Sequence, residues 1–316
     1  LTVLGIAAVR RAVLMLLWQL TAAPDGKVVV ITGCDTGFGR MLSEKLAAKG
    51  YVMACCCLTD GGVEAMQKVF VEAGVEGHAF RCDVRSDADV AAFVTAVRGV
   101  LDGRPVHAVV NNAGINRGMV VDTTSLDDIN MIMDVNYTGT VRVSKAFIPD
   151  LMASKGRLIN VASAAGIATA PLMGPYCASK HAVTSLSTCL RLELAPFGVK
   201  VITVAPGFYA TSIVTGSSSA RVQHWKNADP AAKARWGQPF FEHVQKRSAV
   251  VNSSARDPNE VVAVMEHAIA ARFPCTTYRV GYDAQLALVV SVLPTFITDF
   301  LVGLFVLGGA PLPKSG

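Results

Sequence analysis

The sequence has no stripe of basic residues. Its 29 Lys and Arg against 24 Asp and Glu leave a formal charge of +5, but the cations are scattered and not interleaved with aromatics, so nucleic-acid binding has no support. It also lacks a metal-ligand pattern. Of its eight cysteines, Cys55, Cys56 and Cys57 are consecutive, and Cys34, Cys82, Cys177, Cys189 and Cys275 show no CxxC or Cys/His spacing, which speaks against a zinc site and against a disulfide framework. Three adjacent thiols in an apolar run read as a buried strand in a reducing setting, with cysteine acting as a small hydrophobe. There is no Ser/Pro/Gly linker, internal repeat or low-complexity tract, so 316 residues are expected to form one large domain with extensions. Charge itself is scarce: 17% of residues are charged, 52% are hydrophobic, and the mean hydropathy is +0.42. That balance points to membrane contact or an apolar substrate.

The two ends carry much of the apolar excess. Residues 1–20 are almost wholly apolar apart from Arg10 and Arg11, and two arginines at mid-span would each cost about 2.5–3.5 kcal/mol on insertion. Residues 1–24 are therefore expected to be an anchor or targeting segment with Trp18 at the interface, or else a surface-packed helix. The other end, 275–316, is expected to be an extension associated with substrate or membrane. Its stretch 284–311 has a single charge, Asp299, and is broken by Pro294. The remaining run, 295–307, is shorter than the roughly 20 residues needed to span a bilayer, and reads as a helix packed on the body or lying in the membrane interface.

Between the ends, β-branched apolar runs alternate with helical stretches, the pattern of a parallel sheet covered on both faces. Strands are expected at 28–32, 52–57, 77–81, 108–111, 157–161, 199–205 and 277–279. Helices are expected at 39–49, 63–73, 87–101, 126–152, 176–197 and 258–271, and 211–254 is expected to be a less regular insertion over the substrate. The first strand runs into Gly33-Cys34-Asp35-Thr36-Gly37-Phe38-Gly39 and then a helix. Glycines there let the backbone turn tightly and approach a pyrophosphate at a helix N-terminus.

Further on, Tyr176-Cys177-Ala178-Ser179-Lys180 places a phenol and an ammonium one helical turn apart. Removing a hydride from an alcohol requires removal of its hydroxyl proton, hence a base. Tyrosine ordinarily titrates near ~10, and a neighbouring lysine is expected to lower that value by favouring the phenolate.

The segment from Gly33 to Gly39 together with Tyr176 and Lys180 resembles the short-chain dehydrogenase/reductase superfamily, in particular the branch of retinol dehydrogenases, 17-beta- and 11-beta-hydroxysteroid dehydrogenases and D-beta-hydroxybutyrate dehydrogenase. The resemblance implies a doubly wound Rossmann α/β domain over 25–274. It implies that Asp83-Val84 contacts the adenine, that Asn111-Asn112-Ala113-Gly114 forms the fourth-strand motif, and that Pro206-Gly207 with Thr211 brackets the nicotinamide. Ser163, thirteen residues before Tyr176, would bond the substrate oxygen and steady developing charge. Asn136 would hold a water on a proton route from Lys180, and Lys180 would also bond the nicotinamide ribose. Homo-oligomers are implied as well.

At the end of the second strand the ribose-reading position is Cys57, followed by Asp60, and no Lys or Arg occurs from Val52 to Gln67. NAD is therefore expected rather than NADP, with Arg40 the residue that argues the other way. The expected reaction is reversible hydride transfer between NAD and a lipophilic alcohol, a retinol or hydroxysteroid, in an enzyme associated with the endoplasmic reticulum or, alternatively, the mitochondrial inner membrane. A 3-hydroxybutyrate-type dehydrogenase is the competing reading and would need a cation in the pocket, with His224, Lys226, Arg235 and Lys246 as candidates. Two non-catalytic readings, an NAD-binding regulator and a scaffold, are opposed by the intact Ser163, Tyr176 and Lys180.

Overall fold

The computed structural model describes residues 20–311. Seven parallel strands, β1 (Val28–Thr32), β2 (Val52–Cys57), β3 (Gly77–Arg81), β4 (Val106–Asn111), β5 (Arg157–Val161), β6 (Lys200–Pro206) and β7 (Thr277–Val280), line up in the order β3-β2-β1-β4-β5-β6-β7. The order reverses between β1 and β4, which opens a crevice at the carboxyl ends of the strands, where ligands bind in such sheets.

Apolar cores lie on both faces because the central strands are apolar on both. Met53, Cys55 and Cys57 join one cluster with Val29 and Ile31, while Ala54 and Cys56 join the other with Val28 and Val30. The three consecutive thiols are thus shared between two cores, as successive side chains of a strand must be. Helices α1 (Gly37–Ala47), α2 (Asp60–Ala73) and α3 (Asp87–Val100) follow the first three strands.

Three expectations are corrected. The helix read over 126–152 is interrupted: α4 (Leu126–Met133) and α5 (Gly139–Ser154) are joined by a π turn, Asp134–Thr138. The insertion 211–254 is regular, built of α7 (Ser212–Thr215), α8 (Ser217–Asn227), α9 (Pro230–Trp236) and α10 (Gln238–Ser253), which follow α6 (Gly174–Leu194) and β6. Its prolines do not break helices, because Pro230 and Pro239 sit in first turns, where the missing N–H costs nothing. The sheet also extends past residue 274, since β7 pairs with β6 from Thr203↔Thr277 to Pro206↔Val280.

At the front of the domain, the Ala22 amide bonds the Ala270 carbonyl and the Arg272 amide bonds that of Leu20, just beyond α11 (Asn259–Ala270). The rest of the expected N-terminal segment, 1–19, lies outside the described residues. The chain ends in an apolar pair, α12 (Tyr282–Ser291) and α13 (Thr295–Leu307). Among the described residues no helix is long and apolar enough to cross a membrane.

Candidate active site

The glycine loop is shaped by what it passes. Gly33 has φ +71, and a Cβ there would lie 2.8 Å from Ala113 Cα; one on Gly39 would lie 2.3 Å from the Gly33 carbonyl oxygen and 2.6 Å from Asn112 Nδ2. The loop is pinned from beneath by Asn112, whose amide donates to the Thr32 and Gly33 carbonyls, while Thr32 Oγ1 accepts the Asn112 and Ala113 amides. Thr59, Ser86 and Ser125 cap α2, α3 and α4 with their side chains, but Thr36 makes no such bond to α1, whose first turn is also free of acidic residues. That helix end is therefore available to an anion, and the glycine cradle fits a dinucleotide pyrophosphate. The Thr36 hydroxyl instead meets that of Ser212, 2.9 Å away at the start of the helical cover.

Beside the loop, Asp35 accepts from the Leu58 amide, the Thr59 amide and the Thr59 hydroxyl at 2.8, 3.0 and 2.7 Å. A carboxylate thus stands at the carboxyl end of β2, which opposes a ribose 2′-phosphate. Arg40 is paired with Glu44 one turn along its own helix. The expectation for Cys57 is corrected: its side chain is fully buried in the core, and burial, then the nearby Asp35 charge, pushes the thiol up to about 12.

Other expected residues divide between cleft and scaffold. Asp83 is held by Arg85, whose guanidinium bonds both carboxylate oxygens and keeps the acid below its ordinary range; Val84 is buried. Asn111 Nδ2 is spent on Ser144 Oγ and Asn160 Oδ1, inside a buried chain that continues to Ser187. Phe38 packs edge-on against Tyr209. The Pro206-Gly207 turn is held by Asp283, which accepts the Phe208 amide and pairs with Arg256, and the Thr211 amide bonds the Tyr209 carbonyl.

The catalytic candidates do converge. Ser163 lies two residues past β5 and caps the tight turn Ala164–Gly166 through the Ala165 amide; that turn packs so closely on α6 that a Cβ on Gly166 would meet the Lys180 carbonyl oxygen at 2.6 Å. Ser163 is close enough to the Tyr176 phenol to act on its proton affinity. Lys180 is buried, its Nζ donating to the Val161 carbonyl at 2.9 Å and lying 5.8 Å from the centre of the Tyr176 ring.

Asn136, in the π turn, accepts the Ile115 amide through Oδ1 and donates through Nδ2 to the Ile115 carbonyl and Ser179 Oγ. A Cβ on Gly114 would lie 3.3 Å from Asn136 Oδ1 and 3.4 Å from Lys180 Nζ, so a side chain there would crowd both groups.

The proton levels differ from the expected pattern. Burial raises Tyr176 to about 12, against a lowering by the Ser163 hydrogen bond, and burial lowers Lys180 to about 8. Desolvation disfavours the charged form of each group, and at the phenol it outweighs the lowering expected from the neighbouring ammonium. The phenol holds its proton and can donate it.

With this geometry in view, comparison with known proteins is decisive. The short chain dehydrogenase family model matches residues 27–221. The chain belongs to that family. It is 34% identical over 296 residues to retinol dehydrogenase 5 of Mus musculus, covering 91% of this chain and 92% of the relative. It is 34% identical over 267 residues to the mitochondrial D-beta-hydroxybutyrate dehydrogenase of Rattus norvegicus, covering 81% and 77%, and 32% identical over 290 residues to the human 17-beta-hydroxysteroid dehydrogenase type 6, covering 90% of each. A crystal structure of a short-chain dehydrogenase/reductase from Burkholderia phymatum in complex with NAD superposes with a TM-score of 0.69 at 27% identity, covering 93% of this chain and all of that one.

Membership gives the short-chain dehydrogenase its reaction type, oxidoreduction of an alcohol. Three groups were missed in the sequence: Ser179, which bonds Asn136, Asp283, and Asp122, which bonds Arg235. All three act through partners distant in the chain.

Proposed function

We propose that the chain oxidises and reforms lipophilic secondary or allylic alcohols, retinoid or steroid, with NAD. One observation carries the substrate class. A cavity of about 590 Å³ opens against Gly174, two residues before Tyr176, and is walled by Met119, Val120, Pro171, Leu172 and Trp236. Asp122 is the charged side chain on its wall, and it is already paired with Arg235.

Of the cations a hydroxy acid would need, Lys226 and Lys246 are exposed, Arg235 is engaged by Asp122, and His224 is held between Thr123 and Asp128. The relatives that act on retinol and hydroxysteroids therefore fit better than the hydroxybutyrate enzyme.

In this reading Ser163 donates to the substrate oxygen and Tyr176 exchanges the hydroxyl proton, with Lys180 supplying charge behind the phenol. The cofactor supplies the hydride acceptor and, in its oxidised form, a positive ring that favours the phenolate. Asn136 and Gly114 keep open the space beside Lys180 Nζ through which a water can carry the proton outward.

The surface supports attachment to a lipid interface. Phe296, Phe300 and Leu304, spaced four apart on α13, are 75%, 68% and 61% exposed, an apolar stripe of the kind that lies in a bilayer surface. The endoplasmic reticulum, with the mitochondrial inner membrane as the alternative, is the proposed location.

The test is purified protein with NAD, offered all-trans-retinol, an androstane alcohol and 3-hydroxybutyrate, with and without vesicles. Turnover of either lipophilic alcohol is expected; turnover of 3-hydroxybutyrate alone would reverse the substrate assignment.

A further inference from the structure

Two consecutive lid residues close on one carboxylate at the cavity wall. Arg235 donates to both Asp122 oxygens, Nε to Oδ2 at 3.0 Å and Nη2 to Oδ1 at 2.7 Å, and Trp236 Nε1 donates to Oδ2 at 3.0 Å. The Trp236 ring is itself part of the wall and packs on Phe240 with 4.7 Å between ring centres. The pair is partly exposed, with Arg235 57% and Asp122 39% open to solvent. Such a pair adds little to stability, which leaves its placement to be explained by the substrate.

We propose that Asp122 is a specificity-determining residue that excludes carboxylate-bearing substrates by occupying Arg235, the guanidinium paired with the cavity wall. This deepens the reading of the site as one for neutral lipophilic alcohols and rests on it. The Nε/Nη2 edge of a guanidinium matches one carboxylate bidentately, and Asp122 both fills that edge of Arg235 and neutralises its charge. While Asp122 fills the fork, an incoming acid finds a like charge on the wall and no donor to replace its hydration. With an amide at position 122 the wall keeps its shape, because an Asn oxygen can still accept from Trp236, but Arg235 loses its anion and is free to take another.

Octanoate, an apolar chain ending in a carboxylate, is the probe, with octanol as the neutral comparator. Both are titrated by calorimetry into NADH-loaded wild type, Asp122→Asn, and the double variant Asp122→Asn with Arg235→Gln. Octanoate is expected to bind Asp122→Asn about tenfold or more tighter than wild type and to lose that gain in the double variant, while octanol does not follow the same order.

Equal octanoate affinity in wild type and Asp122→Asn would overturn the proposal, as would a gain that survives removal of Arg235. Parallel weakening of octanoate and octanol would also overturn it, because Asp122 would then act only as a latch for the lid. Failure of the broader reading shows separately, as absence of turnover with any alcohol, and leaves the octanoate result to be judged by itself.

Discussion

Replacing Lys180 by Met should make the protein more stable at neutral pH while abolishing its chemistry. Lys180 is 4% exposed and burial lowers it from 10.5 to about 8. Below pH 8 the lysine is protonated in both folded and unfolded chains, and the folded state bears the full cost of a buried ammonium. Between pH 8 and 10.5 the folded protein gives up that proton first, so stability rises with pH. The gap between 10.5 and about 8 corresponds to about 3 kcal/mol, most of which is reached by pH 10.

Methionine carries no such cost at any pH. The variant does lose the bond from Nζ to the Val161 carbonyl, which offsets about 1–3 kcal/mol but does not change with pH. Urea denaturation of both proteins between pH 7 and pH 10, in the absence of cofactor, isolates the effect, because groups common to both cancel in the difference. Wild type should gain about 2–3 kcal/mol on the variant over that interval. A difference that stays flat would refute the argument that desolvation sets the lysine's proton affinity.

Two further perturbations test the scaffold of the site. Gly39→Ala puts a methyl 2.3 Å from the Gly33 carbonyl oxygen, so a loss of about 1–3 kcal/mol in stability is expected, with NADH affinity down about tenfold or more; a fluorescence titration matching wild type would contradict the cradle. Asn136→Ala leaves both Ile115 backbone groups and Ser179 without their amide partner, and should cost about 2–4 kcal/mol in chemical denaturation, so a loss below about 1 kcal/mol would show the π turn to be held by other means.

The sheet was legible in the sequence because its strands are continuous apolar runs such as Val28-Val29-Val30-Ile31-Thr32, a pattern that only a sheet covered on both faces demands. Ser163, Tyr176 and Lys180 were legible as chemistry, and the structure brings them together. What escaped depended on distant partners. The π turn at Asn136 is fixed by Ile115 and by Ser179, 43 residues on, and local periodicity carries no trace of either. Asp122 and Arg235 lie 113 residues apart. Cys57 was placed as the last residue of the second strand, but strand alternation turns its side chain into the core. The proton affinity of Tyr176 departs from the expected lowering because spacing reveals charge proximity but not depth.

The most direct measurement is Tyr176→Phe, assayed for NADH binding and for NAD-linked oxidation of whichever alcohol the wild type accepts. The phenyl ring keeps the packing and removes the hydroxyl that exchanges the proton. NADH should bind as to wild type while turnover falls by about two to four orders of magnitude, the contribution of a positioned acid/base. Turnover within about tenfold of wild type would contradict the assignment of the chemistry to Tyr176.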